Sequence, residues 1–179
     1  ITAQGLKAMT GWRNLGLRSL AEKSGVEGEA TTYHAGFLIG PRINAGGRVG
    51  KSDLGATLLT TEDEAVALRI SDQLDRLNAE RRAIEADVLD AASAQLEGQA
   101  SDRAILIAAG EGWHPGVIGV VAGRLKERFD KPVIVIGIDR EATPPVGKGS
   151  GRSVPGVNLG GAIAAAPAWT HQEKWQHPH

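Results

Sequence analysis

Between Thr61 and Glu97 the chain runs without a glycine or a proline, and that stretch constrains everything around it. Its residues are mostly strong helix formers. Val66, Ile70, Leu74, Leu77, Ile84, Val88 and Ala92 recur at steps of three, four or seven, which sets them on one stripe of a helix. Thr61 stands where an N-cap belongs, with Glu62, Asp63 and Glu64 in the first turn, where the helix dipole favours negative charge. Gly98 ends the run. Roughly 36 residues at 1.5 Å each make a rod of about 54 Å. A rod that long with so narrow an apolar stripe reads as a connector between domains rather than a core element.

The two flanks of this rod differ. Before it, Leu15, Leu17 and Leu20 fit a short amphipathic helix stopping at Gly25, and the segment Gly36–Gly50 is glycine-rich, which by composition reads as a loop. That segment is also cationic: Arg42, Arg48 and then Lys51 occur with no acid between Glu29 and Asp53. After the rod, Arg103–Ala109 is a short apolar run of the kind a buried strand shows, and Pro132–Ile138 is a second, richer in β-branched residues. Val117, Val120, Val121, Leu125 and Phe129 between them have helical spacing. Strand, helix and strand in so short a span predict a right-handed βαβ unit with parallel strands. Ala162–Ala166 starts another helix, and residues 167–179, rich in His and Trp, read as an atypical tail.

Composition excludes several classes. With no Cys there is neither a disulfide nor a thiolate metal site, which suits a reducing cytoplasm. No apolar run approaches the roughly 20 residues of a membrane span. The beginning, Ile1-Thr2-Ala3-Gln4, lacks an initiator Met and any signal pattern, and reads as the interior of a longer protein. A net charge of -1 excludes a broadly basic coat and leaves local basic patches as the route to nucleic acid. The phosphate loop, the dinucleotide fingerprint, the hydrolase elbow and the helical zinc motif all fail on inspection, because Gly149 follows Gly147-Lys148, Val154 stands where the third glycine belongs, and Lys148 precedes Ser150 by two.

Three constellations remain. Arg42 and Arg48 flank Asn44 in a glycine-rich segment; guanidinium groups and bare amides suit phosphate oxygens, and equally suit carboxylates on a neighbouring element. His114 precedes Pro115 where strand leads into helix, so it either faces whatever lies beyond the strand ends or caps the turn, with Trp113 packing. Lys148, Ser150, Arg152 and Ser153 supply cations and hydroxyls among glycines 147, 149 and 151, either as a grip on the phosphates and sugars of a strand or as a solvated loop.

In this order, Phe37-Leu-Ile-Gly-Pro-Arg-Ile-Asn-Ala-Gly-Gly-Arg48, Leu77-Asn-Ala-Glu-Arg-Arg82, Trp113-His-Pro-Gly-Val-Ile-Gly-Val-Val-Ala-Gly-Arg-Leu125 and Lys148-Gly-Ser-Gly-Arg-Ser153 resemble the RecJ family of DHH phosphoesterases, single-strand-specific 5′-to-3′ DNA exonucleases. The resemblance implies an α/β architecture in which a βαβ-containing DHH-associated domain is joined by a long connector helix to a partial DHH domain. Residues 1–60 would be the C-terminal edge of the DHH catalytic domain, 61–98 the connector, 99–166 the substrate-binding DHH-associated domain, and 167–179 a departure where the family's Gly-Gly-His motif is expected. It implies that Arg42 and Arg48 hold the 5′ phosphate and neighbouring backbone, that Ser150 and Arg152 reach the same end from the opposite domain, that Asn44 shapes its loop, and that His114 lines the cleft. The Mn²⁺ or Mg²⁺ of the intact family would be bound by carboxylates and an Asp-His-His signature upstream, so catalytic residues are not expected here and the piece by itself should be inactive.

The same resemblance implies single-stranded DNA as partner, association with DNA-repair proteins and with the N-terminal DHH region, and a cytoplasmic setting. With aromatic residues at 4%, contacts should go mainly to phosphates. Two other readings stay open at the level of sequence: a DHH-type phosphoesterase acting on short oligonucleotides or cyclic dinucleotides, and a non-catalytic protein-docking module using the long helix.

Overall fold

The computed structural model describes residues 2–50, 53–100 and 102–166; the tail at 167–179 and Lys51 lie outside the described residues. The order of elements is α1 (Thr2–Met9), α2 (Leu15–Lys23), a π-helical turn (His34–Ile39) running straight into α3 (Gly40–Val49), α4 (Leu54–Thr60), α5 (Glu64–Glu97), β1 (Leu106–Glu111), α6 (Pro115–Phe129), β2 (Val133–Asp139), β3 (Val146–Arg152) and α7 (Leu159–Ala165).

The long helix forms as its composition dictates, but its cap is Asp63 rather than Thr61. The Asp63 carboxylate accepts from the N–H groups of Ala65 at 2.8 Å and Val66 at 3.1 Å. Thr61 instead ends α4 and accepts from the N–H of Asp63 through its hydroxyl. Over its 34 residues α5 is a core element at both ends. Ala67, Ile70 and Leu74 close a cluster with Leu20, Ile39 and Leu58, while Val88, Ala92 and Leu96 close a second with Leu106, Val117, Val121, Leu125, Val133 and Val135. Each leucine buried completely here stabilises its cluster by roughly 1.5–3 kcal/mol.

In the first cluster, α2 is capped by Asn14, whose side chain accepts from the N–H of Leu17 at 3.0 Å and donates to the carbonyl of Leu59 at 2.8 Å. A buried hydroxyl contact between Ser19 and Ser71, an ion pair from Arg18 to Glu64 at 2.7 Å and another between Lys23 and Asp72 seat α2 on α5. The glycine-rich segment 36–50, read as a loop from composition, is helical as far as Val49, with Gly50 as the C-cap. Two of its glycines mark close approach: a Cβ on Gly40 would lie 2.8 Å from the Ala35 carbonyl oxygen, and one on Gly50 would lie 2.6 Å from the Leu77 side chain on α5.

The second cluster contains the expected strand, helix and strand. β1 and β2 are parallel, with Leu106 opposite Val133 and Ala108 opposite Val135. The outer edge of β1 is covered from α5 by Gln95, whose amide exchanges two 3.1 Å hydrogen bonds with the backbone of Ala109. The glycine-rich stretch after β2 is a third strand, antiparallel to β2, with Arg152 opposite Val133, Ser150 opposite Val135 and Lys148 opposite Gly137.

One charged group is enclosed between the long helix and α6. Glu85 is 2% exposed and binds Arg81 at 2.6 Å and Arg124 of α6 at 2.7 Å, while Arg81 also donates to Asn78 at 3.1 Å. Breaking a buried pair from one side strands the remaining charge, at about 3 kcal/mol. Glu85→Gln is expected to lower the free energy of unfolding by about that amount, whereas Glu64→Gln, in the exposed Arg18 pair, should change it by less than about 1 kcal/mol. Urea unfolding curves of the two variants check this.

Candidate functional site

The eight residues singled out from sequence do not all meet. Arg42 is turned inward, with its side chain 16% exposed: its Nε donates to Asp75 of α5 at 2.8 Å and its Nη1 to the carbonyl of Leu38 at 2.8 Å. Of the two readings open for that arginine, the carboxylate partner is the one found. Asn44 has no loop to shape, because it lies on the exposed side of α3. Ser153 turns away, donating to the carbonyl of Val157 at 2.7 Å and so fastening the turn between β3 and α7.

Arg48, His114, Ser150 and Arg152 do come together, on the first turns of α6. His114 is the N-cap, its Nδ1 accepting from the N–H of Gly116 at 3.0 Å. That bond fixes the tautomer of the neutral ring: the proton sits on Nε2, which is then a donor and not a base. Arg48, at the end of α3, donates to the Gly116 carbonyl at 2.8 Å. A Cβ on Gly116 would stand 2.4 Å from the Arg48 carbonyl oxygen, so the two helices touch backbone to backbone there. One turn on, a Cβ on Gly119 would stand 3.1 Å from both Ser150 Oγ and Arg152 Nη2. The Arg152 guanidinium donates to Ser150 Oγ at 3.0 Å and to the Gly151 carbonyl at 2.9 Å.

The strand explains this side-chain order. Alternate residues of β3 face opposite sides. Lys148, Ser150 and Arg152 lie on the side of Val133 and Val135, towards α6, and glycines 147, 149 and 151 lie on the other. There, Cβ atoms on those glycines would meet Ile136, Ile134 and Leu159. The glycines therefore make room for apolar neighbours, and do not open the backbone to a ligand on the cationic side.

Sequence reasoning passed over Gly116 and Gly119 as structural partners of the site. Their signal was present: glycines three apart in a helix otherwise rich in β-branched residues. It also passed over Tyr33 and Phe37, whose rings stack at 5.3 Å and are 59% and 71% exposed. Among the described residues no group of three or more His, Asp or Glu side chains is arranged to hold a metal ion. No helix among them is long and apolar enough to cross a membrane.

Residues 102–168, which include the sheet, α6 and the face carrying Ser150 and Arg152, match the family described as the DHHA1 domain. Over most of its length the chain is similar to the single-stranded-DNA-specific exonuclease RecJ: 39% identical to that of Bacillus subtilis across 160 residues, which is 89% of this chain and 20% of the relative. It is 35% identical to that of Thermus thermophilus across 166 residues, 93% of this chain and 23% of the relative. The crystal structure of RecJ from Thermus thermophilus in complex with Mg²⁺ superposes with a TM-score of 0.75 at 31% identity, covering 89% of this chain and 24% of that one. A crystal structure of exonuclease RecJ bound to manganese gives 0.72 at 33% identity, covering 89% of this chain and 38% of that one. The chain is RecJ-like, as its motifs implied, and spans about a fifth to a quarter of the length of the curated relatives it matches.

Arg42 and Arg48 should separate in a stability measurement. Arg42→Ala removes a largely buried charged hydrogen bond and is expected to cost about 2 kcal/mol, while Arg48→Ala, on the exposed side, should cost less than about 1 kcal/mol. Thermal and urea unfolding give the comparison.

Proposed function

We propose that this chain is the strand-gripping part of a RecJ-like 5′-to-3′ single-stranded-DNA exonuclease, a metal-dependent phosphodiester hydrolase when intact, and that it binds single-stranded DNA by its phosphates and 5′ end. The observation that carries the reading is the meeting on α6. Arg48 reaches Gly116 from the α3 side, and Ser150 and Arg152 stand over Gly119 from the β3 side. Cations and hydroxyls from two separate clusters thus line one helix, and none of Arg48, Lys148 and Arg152 has an acidic partner among the described residues.

In this reading residues 1–60 are an edge of the DHH domain, 61–98 the connector and 99–166 the DHH-associated domain. Arg42 anchors the helix that presents Arg48, Ser150 and Arg152 take phosphate oxygens, and Lys148 extends the grip along β3. The Mg²⁺ and manganese named for the solved RecJ structures belong to those proteins; the residues described here do not supply such a centre, so no hydrolytic step is assigned to them. The setting is cytoplasmic, with the remaining DHH region and DNA-repair proteins as partners.

Fluorescence anisotropy of a labelled single-stranded oligonucleotide tests the reading. Binding is expected to weaken as salt rises and to be tighter with a 5′ phosphate than without. Arg152→Ala should weaken binding to all sequences alike and reduce the salt slope by about 0.7. An unchanged slope and affinity in that variant would remove Arg152 from the grip.

A further inference from the structure

Beyond the carboxyl ends of β1 and β2 lies an open cleft of about 420 Å³, bounded by the β1–α6 turn, the end of β2 and the start of β3. Its volume falls in the range, roughly 300–1,000 Å³, of small-molecule sites, and its position is the one where open α/β sheets take ligands. We infer that this cleft receives a nucleobase, that of a nucleotide near the 5′ end of the strand whose phosphates lie on Lys148 and Arg152. The inference rests on the strand-gripping reading and adds to it a base subsite.

Three observations favour a flat, uncharged ring as the occupant. First, the walls are apolar and fixed. Trp113, Pro115 and Ile138 line the cleft, and the Trp113 ring is seated so closely on Gly110 that a Cβ there would stand 2.1 Å from Cε2. The ring is held on its inner side, against Gly110 and the second cluster.

Second, the charges at the rim do not suit a phosphate. Glu111, Asp139 and Glu141 stand against Arg140 and Lys148, one negative charge in excess. Two of these acids already have partners: Glu111 is paired with Arg140 at 2.5 Å, and Asp139 accepts from the N–H of Glu141 at 3.0 Å. A polyanion is disfavoured inside, whereas a neutral base with donor and acceptor edges meets both kinds of group.

Third, the phosphate-binding face is continuous with the cleft. Lys148 lines it, and Ser150 and Arg152 follow on the same side of β3 at steps of roughly 6.6–6.8 Å, two residues of strand at a time. A strand laid along β3 by its phosphates therefore brings one of its bases beside the cleft. His114, a lining residue, offers its Nε2–H to that base as a donor, because Nδ1 is engaged with Gly116. The low aromatic content of the chain agrees with a single base seat in place of a stacking platform.

The test uses the whole 179-residue chain and two 5′-phosphorylated single strands of equal length, one intact and one with three abasic nucleotides at its 5′ end. Anisotropy is expected to show the abasic strand binding five- to tenfold more weakly, with the same salt slope, because the phosphates are unchanged. Moving the abasic positions to the 3′ end should restore full affinity. Ile138→Trp, which fills the cleft, should bring the intact strand down to the affinity of the 5′-abasic one. Equal affinity of the unmodified protein for the intact and 5′-abasic strands overturns the base subsite and leaves the phosphate grip standing. Absence of salt-sensitive binding to either strand overturns the grip and the subsite together. If Ile138→Trp fails to fold, the comparison of the two strands on the unmodified chain decides by itself.

Discussion

Everything in this molecule hangs on α5 being one unbroken helix whose two ends sit in different hydrophobic clusters. A helix of 34 residues is about 51 Å long and stiff. Once Leu74 is fixed against Leu20 and Leu58, and Leu96 against Leu106 and Leu125, the distance and rotation between the clusters are set. The buried Glu85 pins that rotation, since its two oxygens face an arginine on its own helix and another on α6. Hydrophobic burial would tolerate some sliding of one helix on another. An enclosed carboxylate tolerates much less, because a shift of an ångström or two would strand its charge.

That constraint makes the contact between α3 and α6 possible, and the glycines make it close. A glycine inside a helix costs roughly 0.5–1 kcal/mol relative to alanine. At Gly116 and Gly119 the cost is offset by what the missing methyl groups allow: backbone contact with Arg48 at the first, and the Ser150 and Arg152 side chains over the second. The same logic operates away from the site at Gly16, where a Cβ would stand 2.2 Å from the carbonyl oxygen of Leu58. At these three positions glycine marks close approach between elements.

This accounts for what could be read from the sequence and what could not. Periodicity carried α2, α5, α6 and the two parallel strands, because each buries one face against a cluster and its apolar spacing records that. It failed at Gly36–Gly50, where composition pointed to a loop. The helix there is stabilised by its seat on α5, through Arg42 to Asp75 and Ala45 in the interior, and such tertiary contacts leave no local periodic signal. It failed again at Val146–Arg152, since a strand alternating glycine with polar residues has no hydrophobic period at all. Its strand character comes from pairing with β2. Of the site, residue types were legible and directions were not: no sequence rule says that Arg42 turns in towards a carboxylate while Arg48, six positions on, turns out.

How can a chain of net charge -1 hold a polyanion? The answer lies in which cations are already matched. Arg18, Lys23, Arg42, Arg81, Arg124, Arg128 and Arg140 each have a carboxylate within ion-pair distance, and most of these pairs tie one element to another. Among the described residues, Arg48, Lys148 and Arg152 are left around one end of α6 without such partners, and charges within about 10 Å of one another add their fields at moderate salt. Net charge averages over the whole surface, but a phosphate responds to what lies within a Debye length of it. The pairing that builds the fold thus also sorts the charges, and three of the cations it leaves unmatched are grouped where helix, strand and helix converge.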